Sequence, residues 1–565
     1  MSQLKIIKDE LFLERLKLVK LVKTNPWKST ELQKVLKVLK SNKSRDPHGL
    51  INELFKPGVL GKSLENSILK LMNRIKEEIT IPEFMEFANI VTIYKGKGPK
   101  SSLQSDRGIF LVNIMRSTLM KLIYQEKYPI VDKYMSDSQI GARRNKTIRN
   151  HIFIINGIIN EAVNKGRAID ILMYDYRQCF DTLWLEECIN DLYDAGIQDD
   201  KLALIYEVNE KNQVAIKTPF GITPRVDINQ IVLQGEVLGP LQCSVQVETI
   251  SKECIEEEKF LFSYKQVDIP LSMIDDLACI ADTGRKTVEI NSYINAKTSI
   301  KKLQFGVDKC YQIHVGGKEH TTPQLYIDKW EENKIDGKMT DTCTGKVLME
   351  RREAEVYLGD ILSRDGKNTR NIAARKNKGL GIIKQILYIL EGSCLGEIEA
   401  ALILRSSLFL NGILTNSEVW YGLKLDDWKQ LEQTDEILLR KILETPTSTP
   451  KCMLYLETGC KPIRFIVQAR RVNYLRYILK EDKSSLISKF FHAQNAQSLK
   501  NDWALTIKND LQELDINLSF EDIKRKSKHA FNSLVAKATT KRALTFLLKE
   551  KTNLSKKFLT LQFVS

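Results

Sequence analysis

Two adjacent aspartates in an apolar run are the feature that most limits how this chain can fold. The stretch LSMIDDLACIA, residues 271–281, places Asp275 and Asp276 between two strand-forming segments. Because a buried carboxylate is costly unless it is paired or neutralised, the run predicts two short strands joined by a tight turn beside a compensating charge. A plain surface hairpin turn is the simpler alternative, since aspartate is a common turn residue. Divalent cations would supply the compensation, because Mg²⁺ prefers carboxylate oxygens.

The charge balance of the chain favours a polyanionic partner. Its 565 residues, 43% hydrophobic and 28% charged, suffice for several globular lobes and carry a net charge of +15. Basic residues concentrate at both ends: residues 1–50 hold 12 Lys or Arg against 5 Asp or Glu, and residues 524–557 hold 11 against one. Such runs form solvated helix faces in many proteins, but their presence at both ends of a basic chain favours contact with phosphates.

Cysteine spacing and hydropathy argue against several other classes of protein. The ten cysteines stand singly, with no C-x-x-C pair and only six histidines, so a zinc module is not expected and the thiols are predicted to be reduced inside a cell. No run approaches the roughly 20 apolar residues of a membrane span. The amphipathic N-terminus contains acidic residues and has no small-residue cleavage site, which argues against a secretory signal.

Hydrophobic periodicity predicts strands in the middle of the chain and helices on either side. The predicted elements are helices within 1–80, the strand FANIVTIY, helices over about 113–128 and 148–165, the strand AIDILMYD, the helix TLWLEECINDLYDAG, the strand pair NQVAIKTPFGITPRVDI and long helices from about residue 368. This order predicts an α+β core between helical domains.

A third aspartate ends the predicted middle strand. Ile169, Ile171 and Met173 alternate along one side of it, and Asp175 continues their row at the strand exit. A carboxylate at the rim of a sheet is well placed for a site, so Asp175 is predicted to belong to one. Asp181 stands just before a helical run and is predicted to be its N-cap.

Several segments, taken in order, resemble the motifs of reverse transcriptases. DYRQCFD, QIVLQGEVLGPLQCSV, MIDDLACIA, LQFGVDKC and VYLGDIL resemble the successive palm motifs. Upstream, ANIVTIYKGKG and SDRGIFLVN resemble the fingers strands, and SDSQIGARRNKTIRNHIF resembles the Q-x-G-x-R segment before the palm. The resemblance is closest to non-LTR (LINE-type) retrotransposon enzymes, to whose post-palm helices residues 438–479 are similar. No part resembles a ribonuclease H, an integrase, the endonuclease or the Cys/His knuckle, so the chain is expected to be a polymerase portion, truncated or domesticated.

The resemblance implies a right-hand polymerase fold of class α+β, with fingers, palm and thumb and with helical N- and C-terminal extensions. The implied domains are a helical N-terminal extension at 1–80, fingers at 81–168, a palm with the catalytic carboxylates at 169–365, a thumb-like helical domain at 366–480 and a basic helical region at 481–565.

The resemblance also implies a catalytic site. Asp175, Asp275 and Asp276 match the carboxylates that hold two Mg²⁺ ions, for which Mn²⁺ is an alternative. Lys309 matches the lysine that assists pyrophosphate departure as a general acid, although a lysine in a loop is often merely solvated.

Two residues match positions that contact the incoming nucleotide, and two lysines near the first of them are further candidates. Arg107 matches the fingers arginine on the triphosphate, and Lys95 and Lys97 stand nearby. A guanidinium suits this task because its fork pairs with two phosphate oxygens. Phe180 falls at the steric-gate position, where a ring blocks the nucleotide 2′ hydroxyl, so deoxynucleotides are the implied substrate. A core phenylalanine at a strand-to-helix junction is the alternative.

Two further groups match loops around the template and the primer. Gln234 and Gly235 match the loop that lies against template and nucleotide, although Gly235 can also be an ordinary turn glycine. Tyr357, Leu358 and Gly359 match the primer grip, and plain strand packing explains them equally well.

The chain departs from the family pattern at a few positions. Met273 and Ile274 replace the usual aromatic and small residues before the aspartate pair, which predicts altered nucleotide contacts rather than loss of metal binding. Glu236 replaces a small residue after Q-G and is expected to add negative charge near the template path. Gly108 and Ile109 follow the fingers arginine where Pro and Ile are usual, a mild change.

The implied function is an RNA-directed DNA polymerase, a nucleotidyltransferase with an RNA template, a DNA or RNA primer and deoxynucleoside triphosphates as partners and no membrane. An intracellular, nuclear location is expected from the family and from basic runs such as KRKSK at residues 524–528. Two alternatives stay open. One is a non-catalytic, domesticated nucleic-acid-binding protein, and the other is an RNA-templated RNA polymerase, against which Phe180 argues.

Overall fold

The protein is a mixed α+β structure in which strands are concentrated in the middle of the chain and helices at both ends. The computed structural model describes residues 2–96, 98–102, 105–177, 179–218, 220–229, 232–233, 235–256, 270–316, 323–335, 338–391, 398–497 and 499–562. Two predicted site residues, Lys97 and Gln234, lie outside these ranges. The α+β class predicted from the sequence is confirmed.

The described helices run through the whole chain, and the longest of them is the C-terminal helix of 35 residues. They are α1 Ser2–Leu21, α2 Ser29–Lys37, α3 Lys62–Glu78, α4 Ile114–Tyr134, α5 Ile148–Lys165, α6 Cys179–Thr182, α7 Leu185–Asp194, α8 Asp200–Glu210, α9 Gly239–Glu256, α10 Gly284–Ile300, α11 Thr369–Glu391, α12 Ile398–Leu404, α13 Leu410–Ile413, α14 Leu425–Ile442, α15 Lys451–Thr458, α16 Ile463–Lys480, α17 Leu486–Gln497, α18 Trp503–Glu513, α19 Phe520–Arg525 and α20 Lys528–Gln562.

The described strands form two five-stranded sheets and two hairpins. They are β1 Phe87–Tyr94, β2 Asp106–Val112, β3 Ile169–Tyr174, β4 Lys211–Thr218, β5 Gly221–Ile222, β6 Val226–Asn229, β7 Leu271–Met273, β8 Asp276–Ala281, β9 Tyr311–Val315, β10 Tyr326–Ile335, β11 Lys338–Leu348, β12 Glu350–Arg351, β13 Ala354–Tyr357 and β14 Asp360–Ser363. The central sheet has the order β12-β9-β3-β8-β7. In the second sheet the order is β2-β1-β4-β5, and β6 also pairs with β4.

Helices cover the central sheet on both faces. Ile171 and Met173 of β3 pack in one core cluster with α5 and with the C-terminal helices α16, α17, α18 and α20. Leu172 and Tyr174, which alternate with them, pack in a second cluster with α9 and α10. Alternate residues of a strand point to opposite faces, so an almost wholly apolar strand such as β3 is expected when both faces are buried.

The second sheet joins segments that are distant in sequence. β1 pairs antiparallel with β2 and parallel with β4, in the register Phe87↔Gln213 to Val91↔Lys217. The sheet therefore combines residues from both sides of the predicted boundary between fingers and palm at residue 168. A parallel partner requires a long crossover, and α4, α5, β3 and α6–α8 lie between the two strands in the chain.

Several predicted elements agree with the structure, and two boundaries differ. The strand at 87–94 and the helix at 148–165 are confirmed as β1 and α5, whereas α4 continues through Pro129 to Tyr134 instead of ending near 128. The N-cap prediction for Asp181 is wrong. Asp181 lies within the short helix α6, and α7 begins at Leu185 with Trp184 as its N-cap, because the chain leaves the helical conformation at residues 183–184.

Candidate active site

The ends of three neighbouring strands bring Asp175, Asp276 and Lys309 together. β3 pairs with β8 in an antiparallel register that ends at Tyr174↔Leu277, and continuing it by one pair places Asp175 beside Asp276. On its other side β3 pairs with β9, and the register through Met173↔Tyr311 carries Asp175 toward Lys309. The Lys309 Nζ lies 2.7 Å and 3.1 Å from the two Asp175 carboxylate oxygens. Strand register thus explains a juxtaposition that sequence spacing leaves open.

The aspartate pair lies at a tight hairpin turn, as predicted from the apolar runs around it. β7 and β8 end in the pair Met273↔Asp276, so Ile274 and Asp275 form the two-residue turn. Ile274 has a φ of +59°, which is unusual for a β-branched residue. Such backbone strain costs on the order of 1–3 kcal/mol and is found mainly at functional sites, where the surroundings hold it in place.

A cavity of about 360 Å³ connects the carboxylates with the predicted primer grip. The predicted site residues that line it are Asp175, Asp276, Lys309, Tyr357 and Leu358. Arg352 and Glu355, which the sequence did not single out, also line it and form an ion pair of 2.8 Å with each other. A larger cavity of about 1040 Å³ lies between α7, α10 and β10, and none of the predicted residues within the described ranges lines it.

Burial and mutual repulsion raise the pKa values of the paired aspartates. Burial, and then the negative charges of Asp275 and Asp175, raise the pKa of Asp276 from 3.8 to about 7, while Lys309 opposes the shift. Burial also raises the pKa of Asp275. The Asp275 backbone N–H, Lys309 and Arg107 oppose that shift, and the charge of Asp175 adds to it. The cluster is therefore short of positive charge when its carboxylates are ionised.

The donor atoms of this cluster suit a hard divalent cation, although their present arrangement is not a closed ligand set. Among the described residues, no group of three or more His, Cys, Asp or Glu side chains is arranged to hold a metal ion. The Lys309 ammonium instead bonds both oxygens of Asp175. Because the Lys309 side chain is 70% exposed, this ion pair contributes at most about 1 kcal/mol and a cation can displace it.

The two described basic candidates of the fingers lie on the β1–β2 hairpin. Arg107 pairs with Ile93 in the strand register, is exposed, and lies close enough to Asp275 to lower its pKa. Lys95 is exposed just beyond β1, and its backbone N–H donates to the Ser105 carbonyl at 2.8 Å. The charge of Arg107 thus acts on Asp275, while Lys95 lies at the loop end of the hairpin.

The steric-gate candidate packs against the core cluster under the central sheet, and the template-loop candidate lies against β2. Phe180, in α6, is partly buried and packs, like Ile274, against the core cluster beneath the sheet. Gly235 has a φ of +122°, and a β-carbon there would lie 2.9 Å from the Phe110 carbonyl oxygen of β2. Both the backbone conformation and the close approach to β2 therefore favour glycine at 235.

The predicted primer grip is a hairpin turn between β13 and β14. Tyr357 pairs with Asp360, and Leu358 and Gly359 between them have φ values of +46° and +84°. Tyr357 is buried, and its hydroxyl lies 3.3 Å from His151 Nδ1 of α5. Tyr357 therefore packs in the core and also lines the cavity, so the primer-grip and strand-packing interpretations of this segment are compatible.

A buried polar cluster fixes this hairpin to the helices after it, and no sequence pattern predicted this cluster. Asp360 is 1% exposed and accepts hydrogen bonds from Arg375 at 2.6 Å, Asn371 at 3.2 Å and Trp420 at 3.2 Å. These partners lie on α11 and before α14, so no local pattern marks them. Such a satisfied buried charge holds the turn in a fixed position relative to α11.

The expectation that Glu236 adds negative charge near the template path is wrong. Its side chain is 1% exposed and forms a buried ion pair with Arg116 of α4, which is also fully buried. Arg116 additionally donates to Asn212 of β4. The carboxylate after Q-G therefore points into the protein and joins the loop to α4 and the second sheet.

No described helix combines the length and apolarity needed to cross a bilayer. Comparisons with known proteins identify no family for this chain. No protein-family model matches the sequence, and no curated protein matches it. Among solved structures, the chain is similar to an apo telomerase from Candida tropicalis truncated from its C-terminal domain, with 11% identity and a TM-score of 0.34. The alignment covers 54% of this chain and 59% of the telomerase chain, so this chain spans little more than half of that neighbour.

Proposed function

We propose that the protein is an RNA-directed DNA polymerase that extends a primer 3′ hydroxyl by two-metal phosphoryl transfer. The observation that carries the proposal is the meeting of Asp175, Asp276 and Lys309 in one cavity with Tyr357 and Leu358. These residues lie in or next to the ends of β3, β8, β9 and β13 and span more than 180 positions. Motif order alone does not bring them together, so their convergence is independent support for the roles that the sequence resemblance implies.

The carboxylates would hold the metal ions. Asp175, Asp275 and Asp276 offer hard oxygen donors, and the raised pKa of Asp276 marks a site short of positive charge. Two Mg²⁺ ions, or Mn²⁺, would activate the primer hydroxyl and stabilise the pyrophosphate leaving group when bound. Lys309 would release Asp175 as the cations bind.

The other residues would position the substrates. Lys309 Nζ, freed from Asp175, would donate a proton to the departing pyrophosphate. Arg107, whose charge already reaches Asp275, would bind the triphosphate through its bidentate fork. Phe180 would exclude the ribose 2′ hydroxyl, and Tyr357 and Leu358 would hold the primer end against the cavity.

The nucleic-acid partners are proposed from the charge of the chain. The described part of α20 exposes basic residues on its outer surface, namely Lys528, Lys537, Lys541, Arg542, Lys549 and Lys551. Such a surface would hold a template–primer duplex through its phosphates. The non-LTR retrotransposon lineage and a nuclear site of action are part of the same proposal and rest on the order of the sequence motifs.

One assay tests this function against its alternatives. Purified full-length protein is incubated with a primer annealed to an RNA template, Mg²⁺ and either deoxynucleotides or ribonucleotides. Extension with deoxynucleotides supports the proposal. Extension with ribonucleotides alone supports an RNA-templated RNA polymerase, and duplex binding without extension supports a non-catalytic binding protein.

A point variant separates catalysis from folding. Asp275→Ala is expected to abolish extension while duplex binding and the amount of folded protein stay close to wild type, because Asp275 lies in a turn and not in the core. Loss of folded protein in this variant would instead assign Asp275 a structural role.

A further inference from the structure

The turn that carries the aspartate pair is held by a segment outside the palm motifs. Residues 138–141 run alongside β7 in a parallel bridge, Gln139↔Ser272. The Ser272 N–H donates to the Ser138 carbonyl and the Ile140 N–H donates to the Ser272 carbonyl, both at 2.9 Å. The segment thus acts as an extra edge strand next to the turn.

Gln139 makes the contact that reaches the turn itself. Its side chain is fully buried, and its Oε1 accepts hydrogen bonds from two backbone N–H groups, that of Gly141 at 2.7 Å and that of Ile274 at 3.1 Å. Its Nε2 lies 3.4 Å from the Ser244 carbonyl of α9, to which it donates. One amide group therefore links the strained turn, its neighbouring strand and the helix beneath.

The fit around this contact is close. A β-carbon at Gly141 would overlap the backbone nitrogen of Ile274, so only glycine lets the segment approach the turn. Ile274 has its left-handed φ at the residue whose N–H Gln139 binds. A methionine at 139 would fill a similar volume but would leave that buried N–H without its acceptor.

We propose that Gln139 is a positioning residue that fixes the backbone of the aspartate turn and thereby the placement of Asp275 and Asp276. This inference rests on the proposed polymerase function, and it names a determinant of that activity outside the carboxylate cluster. Gln139 does not line the cavity, so it acts through Ile274 and not on the substrate.

The experiment compares Gln139→Met with Gln242→Met in the full-length protein. Gln242 is a matched control, because it is 1% exposed and its side-chain nitrogen and oxygen have no hydrogen-bond partner within the described residues. Two quantities are measured: kcat and KM for deoxynucleotide in primer extension, and hydrogen exchange of the peptide covering residues 271–281 in the metal-free protein.

Gln139→Met is expected to lower kcat on the order of 100-fold with KM changed by less than about threefold, because a small displacement of catalytic groups affects the chemical step most. Its 271–281 peptide should exchange faster than in wild type, while Gln242→Met stays near wild type in both measurements. Unchanged exchange and kcat in Gln139→Met would overturn the proposal, and so would equal losses in both variants.

Hydrogen exchange keeps this inference distinct from the proposed function. If wild-type protein extends no primer yet Gln139→Met loses protection of residues 271–281, the polymerase function fails and the positioning of the turn stands. If wild type is active and protection is the same in both proteins, the polymerase function stands and the positioning role fails.

Discussion

Replacing Asp276 by asparagine should stabilise the metal-free protein at alkaline pH while abolishing its activity. Burial and the neighbouring carboxylates raise the pKa of Asp276 from 3.8 to about 7. Between these two values the native protein holds a proton that the unfolded chain has released, so stability falls by about 1.4 kcal/mol for each pH unit of increase. The loss is complete above about pH 7, where the native carboxylate is ionised as well.

Asp276→Asn removes this ionisation and keeps the size of the side chain. Its stability relative to wild type should therefore rise by about 3 kcal/mol between about pH 5 and about pH 8, an order-of-magnitude value. Urea unfolding in EDTA at the two pH values measures the difference. Asp282→Asn is the control, since Asp282 follows the same strand but is 42% exposed and paired with Lys286.

Two outcomes would refute this account of Asp276. If the stability difference between variant and wild type stays constant with pH, the native state does not raise the pKa of the Asp276 carboxyl. An equal pH-dependent gain in Asp282→Asn would mean that the effect is not specific to the cluster. Adding Mg²⁺ at about pH 8 should stabilise wild type more than Asp276→Asn, because only wild type keeps the full set of carboxylates.

Three further predictions follow from other parts of the structure. Arg116→Met should destabilise the protein by about 3–5 kcal/mol in urea unfolding because it leaves Glu236 buried without its partner, and adding Glu236→Met should recover most of the loss. Burial lowers the pKa of His151 to about 3. As the pH falls below about 6.5, His151 therefore takes up a proton in the unfolded chain but stays neutral in the native protein, which lowers stability. His151→Gln should lose less stability than wild type between about pH 7 and about pH 5 in the same assay. Phe180→Val should raise ribonucleotide incorporation in primer extension, and an unchanged sugar preference would contradict the gate assignment.

Local elements were predictable from the sequence because their patterns are complete within a few residues. The strand at 87–94 and the helix at 148–165 follow from hydrophobic periodicity, and the hairpin around Asp275 follows from two apolar runs that flank a turn. The row that ends in Asp175 also follows, because alternate residues of a buried strand share one face. These predictions needed no knowledge of distant partners.

The remaining features depend on pairings across the chain that no local pattern encodes. β1 pairs with β4 across more than 110 residues, and α16–α18 cover the same face of the central sheet as α5. The local sequence places Asp360 at the end of a strand pair, yet its carboxylate accepts hydrogen bonds from residues of α11 and from Trp420. Burial of a charged side chain is decided by such partners, so sequence alone gives its position and not its environment.

Glu236 illustrates how the environment reverses an inference from position. From its position after Q-G, the sequence predicted that it adds negative charge near the template path. In the structure the Glu236 carboxylate is buried and paired with Arg116, 120 residues away, which also donates a hydrogen bond to Asn212. An uncompensated carboxylate at this depth would be strongly unfavourable, so the acid at 236 is stable only with the arginine at 116. Glu236 therefore has a structural role in the interior, as the partner of Arg116.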